Sequence, residues 1–132
     1  MMSNATVMPD GSLCKPNISG AGIRRRFRLG AVAAVLAVAL AASVVASRAR
    51  WPWSLTVFVP AAVAAVYFLQ AGRKTCVARA AAGTFEREDF STTPADEDDA
   101  ARSREVATKI TRDSVLIGFA AVAATVIMTR LR

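Results

Sequence analysis

The fold is decided by Leu29–Ser47, LGAVAAVLAVALAASVVAS, which is nineteen residues without a charge. At about 1.5 Å of rise per residue, a helix of this length crosses an apolar membrane core of about 30 Å. Only Arg48, Ala49 and Arg50 separate it from a second uncharged segment at 51–72. Two such segments with so short a connection predict an antiparallel transmembrane hairpin.

The second segment has the features of a helix that crosses a membrane. Trp51 and Trp53 stand at one end, and such amphipathic rings favour the membrane–water interface. Pro52 suits a first helical turn, where its missing N–H group is not needed. Pro60 lies in the middle, so we expect a kink there and a freed carbonyl group that needs Thr56 or a neighbouring helix as partner.

A third uncharged segment, 114–129, has sixteen residues. This is short for a crossing, which takes about 17 to 25 residues, so the flanking arginines would have to reach toward the interface. The helix that enters it is predicted to be capped by Thr92 or Thr93 and to start at about Pro94. Acidic residues at 96–99 favour its N-terminus. The alternative is a helix that packs in or on the membrane without crossing it.

The expected fold is an all-α integral membrane protein with a transmembrane hairpin and a third, C-terminal transmembrane helix that extends into the cytoplasm. Residues 75–82 predict a helical extension at the membrane surface, ended by Gly83. The predicted divisions are an irregular cytoplasmic tail at 1–23, the hairpin at 24–72 with spans at about 29–47 and 51–72, a cytoplasmic linker with amphipathic and acidic helical segments at 73–113, and the third span with the C-terminus at 114–132.

The composition supports one membrane domain and excludes several kinds of chemistry. The 132 residues are 54% hydrophobic, and the apolar residues are gathered in three blocks. Histidine is absent, which excludes His-ligated haem, histidine-containing zinc or iron sites and Ser-His or Cys-His catalysis. The blocks hold no Asp, Glu, Lys or Arg, which argues against a pump or an ion-coupled transporter. An oligomeric channel would need polar pore-lining residues, which are few.

The basic residues predict the orientation of the chain. With three spans, four of the 17 fall on one side, namely Arg48, Arg50, Arg130 and Arg132. The other thirteen are Lys15, Arg24, Arg25, Arg26, Arg28, Arg73, Lys74, Arg79, Arg87, Arg102, Arg104, Lys109 and Arg112. Because cytoplasmic loops carry the excess of Lys and Arg, we expect a cytoplasmic N-terminus in a bacterial inner membrane. The net charge of +7 then reflects topology, and nucleic-acid binding is not expected.

The arginine cluster allows a rival interpretation. Arg24-Arg25-Arg26-Phe27-Arg28-Leu29 is similar to a twin-arginine export motif, and Val44-Val45-Ala46 before Ser47 is similar to a cleavage site. Cleavage there would leave an exported chain that begins with the second apolar segment. Such a segment is poorly suited to the start of an exported protein. We therefore interpret the arginines as a barrier to translocation. An intact mass that corresponds to a chain starting at Ser47 would contradict this.

The two cysteines are the candidate reactive groups. Cys76 follows Arg73 and Lys74 at the cytoplasmic end of the second span, where positive charge favours a thiolate. Cys14 lies on the same side, so a two-thiolate site for a metal, a redox couple or a covalently held lipid is the alternative hypothesis. Two thiolates without histidine do not complete a zinc or iron–sulfur site in one chain, and we predict no cofactor.

Small residues recur at four-residue spacing in the apolar segments, which lets helices approach closely. The series are Ala33, Ala37 and Ala41; Ala39, Ser43 and Ser47; Ala61 and Ala65; and Ala120 and Ala124. We expect them to serve the hairpin first and a homo-oligomer or larger membrane complex second, although an alanine-rich genome also produces such series by chance. The polar residues of the spans are expected to form hydrogen bonds within or between helices: Ser43, Ser54, Thr56, Gln70 and Thr125.

The hairpin ends in Phe68–Val77, FLQAGRKTCV, and follows Asn17-Ile18-Ser19 and the arginine cluster. This pattern resembles a family of small uncharacterised bacterial inner-membrane proteins with a Gln-Ala-x-x-x-Thr-Cys-Val motif. It is also similar to the two-helix membrane domains that are fused to rhodanese sulfur-transfer domains. The resemblance covers about residues 14–85 and implies a membrane hairpin. No rhodanese-like domain is present, so sulfur transfer is not carried over.

The sequence therefore predicts a small multi-pass membrane protein that is not an enzyme. We expect it to contact the lipid bilayer and to act as an accessory or scaffold component through helix packing with partners. The competing hypothesis is a thiol-based redox or metal-handling protein that uses Cys76 and Cys14.

Overall fold

The computed structural model describes residues 6–7, 13–14, 17–87 and 89–132. The elements, in chain order, are β1 (Thr6–Val7), β2 (Leu13–Cys14), α1 (Gly20–Ala46), a 3-10 helix (Trp51–Val57), α2 (Phe58–Arg73), α3 (Val77–Ala82), β3 (Thr84–Glu86), β4 (Thr92–Pro94) and α4 (Glu97–Leu131). Three helical segments are long and apolar enough to cross a membrane: Gly20–Ala46, Trp51–Arg73 and Glu97–Leu131. The predicted helical class with three candidate spans is confirmed at this level.

The first two spans form the predicted tight antiparallel hairpin. The N–H of Arg48 donates to the carbonyl of Val45 at 3.2 Å, and the N–H of Ala49 donates to the carbonyl of Val44 at 3.1 Å. These two hydrogen bonds close the end of α1 as a Schellman motif, with Arg48 in the left-handed region at a φ of 50°. The 3-10 helix then starts at Trp51, so residues 47–50 connect the two candidate spans, close to the three-residue connection that the sequence predicted.

The second span begins differently from the prediction. Its first part is the 3-10 helix, and α2 starts only at Phe58. Pro60 therefore lies in the first turn of α2, where an α-helix makes no use of the missing N–H group. The Thr56 hydroxyl donates to the carbonyl of Trp53 at 2.7 Å. The prediction placed Pro60 in the middle of a continuous helix, whereas the structure places it after the change from 3-10 to α geometry.

The start of α4 also differs from the prediction. Thr92–Pro94 form β4, which pairs antiparallel with β3, so neither threonine caps the helix. Asp96 takes the cap position instead, without a side-chain hydrogen bond, and acidic residues fill the first turn from Glu97 as expected. From there α4 runs without a break through 114–129.

The N-terminal segment contains more structure than the predicted irregular tail. The Ser19 hydroxyl accepts a hydrogen bond from the N–H of Gly22 at 3.0 Å, so α1 begins at Gly20, ahead of the predicted boundary at residue 24. β1 and β2 pair antiparallel, with Thr6 opposite Cys14. Residues 1–5, 8–12 and 15–16 of the predicted tail lie outside the described residues.

Two small apolar clusters hold the helices together. Ala37 from α1 packs with Val57 and Ala61 in one cluster, among the candidate spans. Val106 and Ile110 from the polar half of α4 form the other, against Leu69 of α2 and Val77 of α3. Since Ile110 is fully buried, the second cluster fixes α4 to the end of the hairpin.

The small-residue series divide between the inside and the outside of the bundle. Ala37, Ala61 and Ala65 are buried, and Ala33 and Ala41 beside Ala37 are half-buried. The remaining series are exposed on α1 and α4, at Ala39, Ser43 and Ser47 and at Ala120 and Ala124. Two series therefore pack within the bundle, and two face outward.

Candidate functional site

The polar residues of the chain collect at one end of the bundle. We call this end the polar cap and define it as residues 17–28, 73–87 and 89–113. It contains the start of α1, all of α3, the β3–β4 hairpin and the first half of α4. The basic residues that were predicted to set the orientation of the hairpin lie in the polar cap: Arg24, Arg25, Arg26, Arg28, Arg73 and Lys74.

The opposite end of the bundle holds the basic residues that were predicted to lie on the other side of the membrane. There the guanidinium of Arg48 donates to the carbonyl of Arg132 at 2.9 Å, which brings the α1–α2 turn next to the end of α4. Trp51 and Trp53 lie at this end and are exposed by 61% and 62%. The fold thus places the two sets of basic residues at opposite ends of the helices.

Asn17 joins three parts of the polar cap. Its side chain is fully buried; its amide nitrogen donates to the carbonyl of Cys76 at 3.1 Å, and its amide oxygen accepts from the N–H of Cys76. Its main chain donates to the carbonyl of Lys74 at 3.1 Å and accepts from the N–H of Glu86 at 2.8 Å. The sequence analysis used Asn17 only as part of a resemblance, and no local pattern marks this role.

Glu86 is the buried charge of the polar cap, with its side chain 3% exposed. It accepts a hydrogen bond from the Ser19 hydroxyl at 3.2 Å. The guanidinium groups of Arg26 and Arg79 lie at 3.4 Å and 3.7 Å from its second oxygen. A buried carboxylate needs such partners, because leaving it unpaired costs several kcal/mol, on the order of 3–5. Glu86 therefore ties β3 to α1 and α3.

Arg26 extends this network to the second helix of the hairpin. Its Nε donates to the side-chain oxygen of Gln70 in α2 at 3.2 Å, while its Nη1 donates to the carbonyl of Gly22 at 3.2 Å. Gln70 thus bonds between helices, as predicted for the polar residues of the spans. Sequence reasoning missed Glu86, because it lies in a polar linker where nothing local distinguishes one carboxylate from the next.

Arg73 fixes α2 to α4. Its guanidinium binds the carboxylate of Asp113 at 2.7 Å, and Arg112 donates to the other oxygen of that carboxylate at 2.9 Å. Arg73 is therefore more than a flanking charge. It joins the last turn of the hairpin to the polar half of the third candidate span.

Of the two cysteines, the structure describes the side chain of Cys76 only. Cys76 is a free thiol, 8% exposed, and its main-chain N–H and carbonyl are both held by Asn17. The backbone of Cys14 belongs to β2, but its side chain lies outside the described residues. Among the residues that are described, no group of three or more His, Cys, Asp or Glu side chains is placed to hold a metal.

Two adjoining cavities open on the polar cap, with volumes of about 530 and 370 Å³. They share Arg25, Leu29 and Phe90, and we call them together the arginine cleft. The guanidinium of Arg25 lies 5.9 Å from the ring centroid of Phe90. This is within the range of a cation–π contact.

The turn that carries Phe90 is held by hydrogen bonds. Phe90 has a φ of 64°, and both the N–H and the hydroxyl of Ser91 donate to Asp89. These hydrogen bonds hold the pKa of the Asp89 carboxyl below its usual value. The turn therefore presents an aromatic side chain in a conformation that its own sequence disfavours.

The hydroxyl groups of the candidate spans bind their own helices. Ser43 donates to the carbonyl of Ala39 and Thr125 to that of Ala121, each at 2.8 Å. This confirms the expected local hydrogen bonds. The hydroxyl of Ser54 differs, since it is buried without a protein partner.

The fold and the cap define the class of this protein as a bundle of three helices that are long and apolar enough to cross a membrane, closed at one end by a polar cap. In comparisons with protein-family models, curated proteins and solved structures, no match to the chain was found. The resemblance to small inner-membrane proteins with a Gln-Ala-x-x-x-Thr-Cys-Val motif therefore stays a prediction.

Proposed function

We propose that this chain is a multi-pass protein of a bacterial inner membrane that acts as a non-enzymatic accessory or scaffold component. The observation that carries the proposal is the burial of Glu86 between Ser19, Arg26 and Arg79. Glu86 and Arg26 join β3 to both helices of the hairpin. A cap fixed in this way to membrane helices is suited to hold partners in a defined position.

The orientation in this proposal places the polar cap in the cytoplasm. Of the thirteen basic residues assigned to that side, all but Lys15, which lies outside the described residues, belong to the cap. Lys and Arg resist translocation, so the cap side is the one expected to remain cytoplasmic. The end with Arg48 and Arg132 then faces the outside.

Helix packing with partners is supported by the outward series on α1. Ala39, Ser43 and Ser47 are exposed, and the hydroxyls of Ser43 and Ser47 donate to the preceding turn of their own helix at 2.8 Å. This strip therefore has small side chains and no unpaired hydroxyl. In lipid, such a strip lets a second helix approach closely.

The test is co-purification from membranes in mild detergent after in-cell crosslinking. Carbonate-resistant membrane association is expected first, since it establishes insertion. Ser43→Leu should then abolish at least one specific crosslinked partner or a homo-oligomer, because a bulky side chain blocks close approach. Val38→Leu is the matched control, since Val38 is 69% exposed on the same helix and stays apolar. If wild-type protein yields no specific crosslink, or both variants behave alike, the proposal is wrong.

A thiol-based redox or metal-handling role is the second candidate. The observation that favours it is that Cys76 lines the larger cavity of the arginine cleft together with Arg79. Replacing Cys76 and Cys14 together by Ser discriminates between the two functions. If the protein is a scaffold, the variant still inserts into the membrane and still crosslinks to its partners. If the protein is thiol-based, the variant loses its redox or metal-binding activity.

A further inference from the structure

The arginine cleft holds more positive charge than the fold uses. Arg26 and Arg79 are paired with the buried Glu86. In contrast, the smaller cavity is lined by Arg24, Arg25 and Arg28 without an acidic residue. Within the described residues, none of these three guanidinium groups takes part in an ion pair. The cleft is therefore an electropositive concavity with free guanidinium donors.

The cleft also has an apolar side. Leu29, which lines both cavities, is the first residue of the long uncharged segment of α1. Tyr67 lines the larger cavity from α2, and Phe90 borders both with 44% of its surface exposed. The arginines thus stand where the polar part of the bundle meets its apolar part. A ligand that fits both sides carries an anionic group next to a hydrocarbon chain.

We propose that the arginine cleft binds the phosphate group of an anionic phospholipid from the cytoplasmic leaflet. Arg24, Arg25 and Arg28 supply planar guanidinium donors, which recognise phosphate oxygens through paired hydrogen bonds. Basic pockets between membrane helices on the cytoplasmic side are suited to such headgroups. The acyl chains then run along Leu29 toward the membrane core. The inference rests on the membrane location proposed above.

The rigid wall of the cleft distinguishes such a site from a row of flanking charges. Arg25 is oriented by the ring of Phe90, and Arg26 is held by Gln70 and Glu86. Oriented guanidinium groups lose less freedom when a phosphate binds than free side chains do. We therefore expect a saturable, stoichiometric lipid and not only a diffuse attraction to a charged bilayer.

The experiment uses the full chain in phosphatidylcholine nanodiscs with a graded fraction of phosphatidylglycerol. Native mass spectrometry counts the phosphatidylglycerol molecules that stay bound after release from the disc. Arg25→Gln and Arg28→Gln should each lower the retention by about tenfold, the effect expected for loss of one hydrogen bond between charged groups. The matched control is Arg87→Gln, which removes the same charge from an exposed position of the polar cap outside the arginine cleft.

The outcomes separate the proposals. If the wild type is carbonate-resistant and retains one phosphatidylglycerol that is lost only in the cleft variants, the lipid site is supported. Equal retention by wild type, cleft variants and control overturns it, even though insertion succeeds and the proposed membrane location stands. Release of the lipid by millimolar inorganic phosphate identifies a soluble phosphate as the ligand and overturns the lipid assignment. Failure of carbonate-resistant insertion itself contradicts the proposed function first.

Discussion

Gly22 is where the polar cap tolerates the least additional volume. A Cβ atom built on Gly22 would overlap with Oε1 of Glu86 and lie 2.8 Å from Nη1 of Arg26. Gly22→Ala must therefore shift the Glu86 carboxylate and the Arg26 guanidinium, which lie at the ends of flexible side chains. Overpacking of this kind costs about 1–3 kcal/mol, while Ala in place of Gly gains roughly 0.5–1 kcal/mol within a helix. These two ranges together give a net destabilisation of up to about 2.5 kcal/mol.

Gly72→Ala is the matched control, because it is the same substitution in a helix, at a position with nothing within 4 Å of the added Cβ. It should stabilise the protein by about 0.5 kcal/mol through helix propensity alone. The assay is thermal unfolding of the purified chain in one detergent, followed by far-UV circular dichroism. At roughly 4 °C for each kcal/mol in a domain near this size, the two variants should shift Tm in opposite directions.

The reasoning fails if Gly22→Ala melts at or above the temperature of the wild type. That result would mean that the Glu86 carboxylate is free to move, and that its pairs with Arg26 and Arg79 do not hold the cap to the hairpin. A shift of both variants in the same direction would show that helix propensity dominates at both positions.

Three further outcomes follow from the described contacts. Lys74→Gly should raise Tm, because glycine relieves the left-handed residue at the end of α2 by about 1 kcal/mol, and the same melting assay checks this. Asn17→Ala should cost about 2 kcal/mol and speed maleimide labelling of the buried thiol of Cys76, because the N–H of Cys76 loses its partner and its carbonyl keeps only the N–H of Ala80. The pKa of Asp89 is lowered in the folded state, so its carboxylate contributes to folding stability at pH values above the unfolded-state pKa. This contribution is lost as the pH falls through the folded-state pKa. In Ser91→Ala, the pKa of Asp89 measured by NMR titration should move back toward 3.8.

Local sequence was sufficient to predict those parts of the structure that depend only on nearby residues. The uncharged segments, the short connection at Arg48–Arg50 and the end of α3 at Gly83 all appear as predicted, since length, charge and a left-handed glycine act within a few residues. The small-residue spacing identified faces suited to close packing. It did not show which of them face inward, because burial depends on how three helices are arranged around one another.

One error came from a strand that lies only six to ten residues earlier in the chain, and one omission came from partners much farther away in sequence. Thr92 and Pro94 read locally as the start of a helix, yet they form a strand because β3 is available for pairing. The candidate site depends on distant partners even more, since the hydrogen bond from Ser19 to Glu86 spans 67 residues. Only the tertiary fold brings such groups together.

The sequence by itself determined the three apolar segments and the charge bias at their ends. The reason is that the free energy of moving uncharged side chains out of water depends on the composition of each segment alone. The tertiary structure decided the features on which the proposals rest: the buried Glu86, the hydrogen bonds of Asn17 to Cys76 and the arginine cleft. A buried charge is tolerated only where several partners converge on it, and convergence is a property of the whole chain.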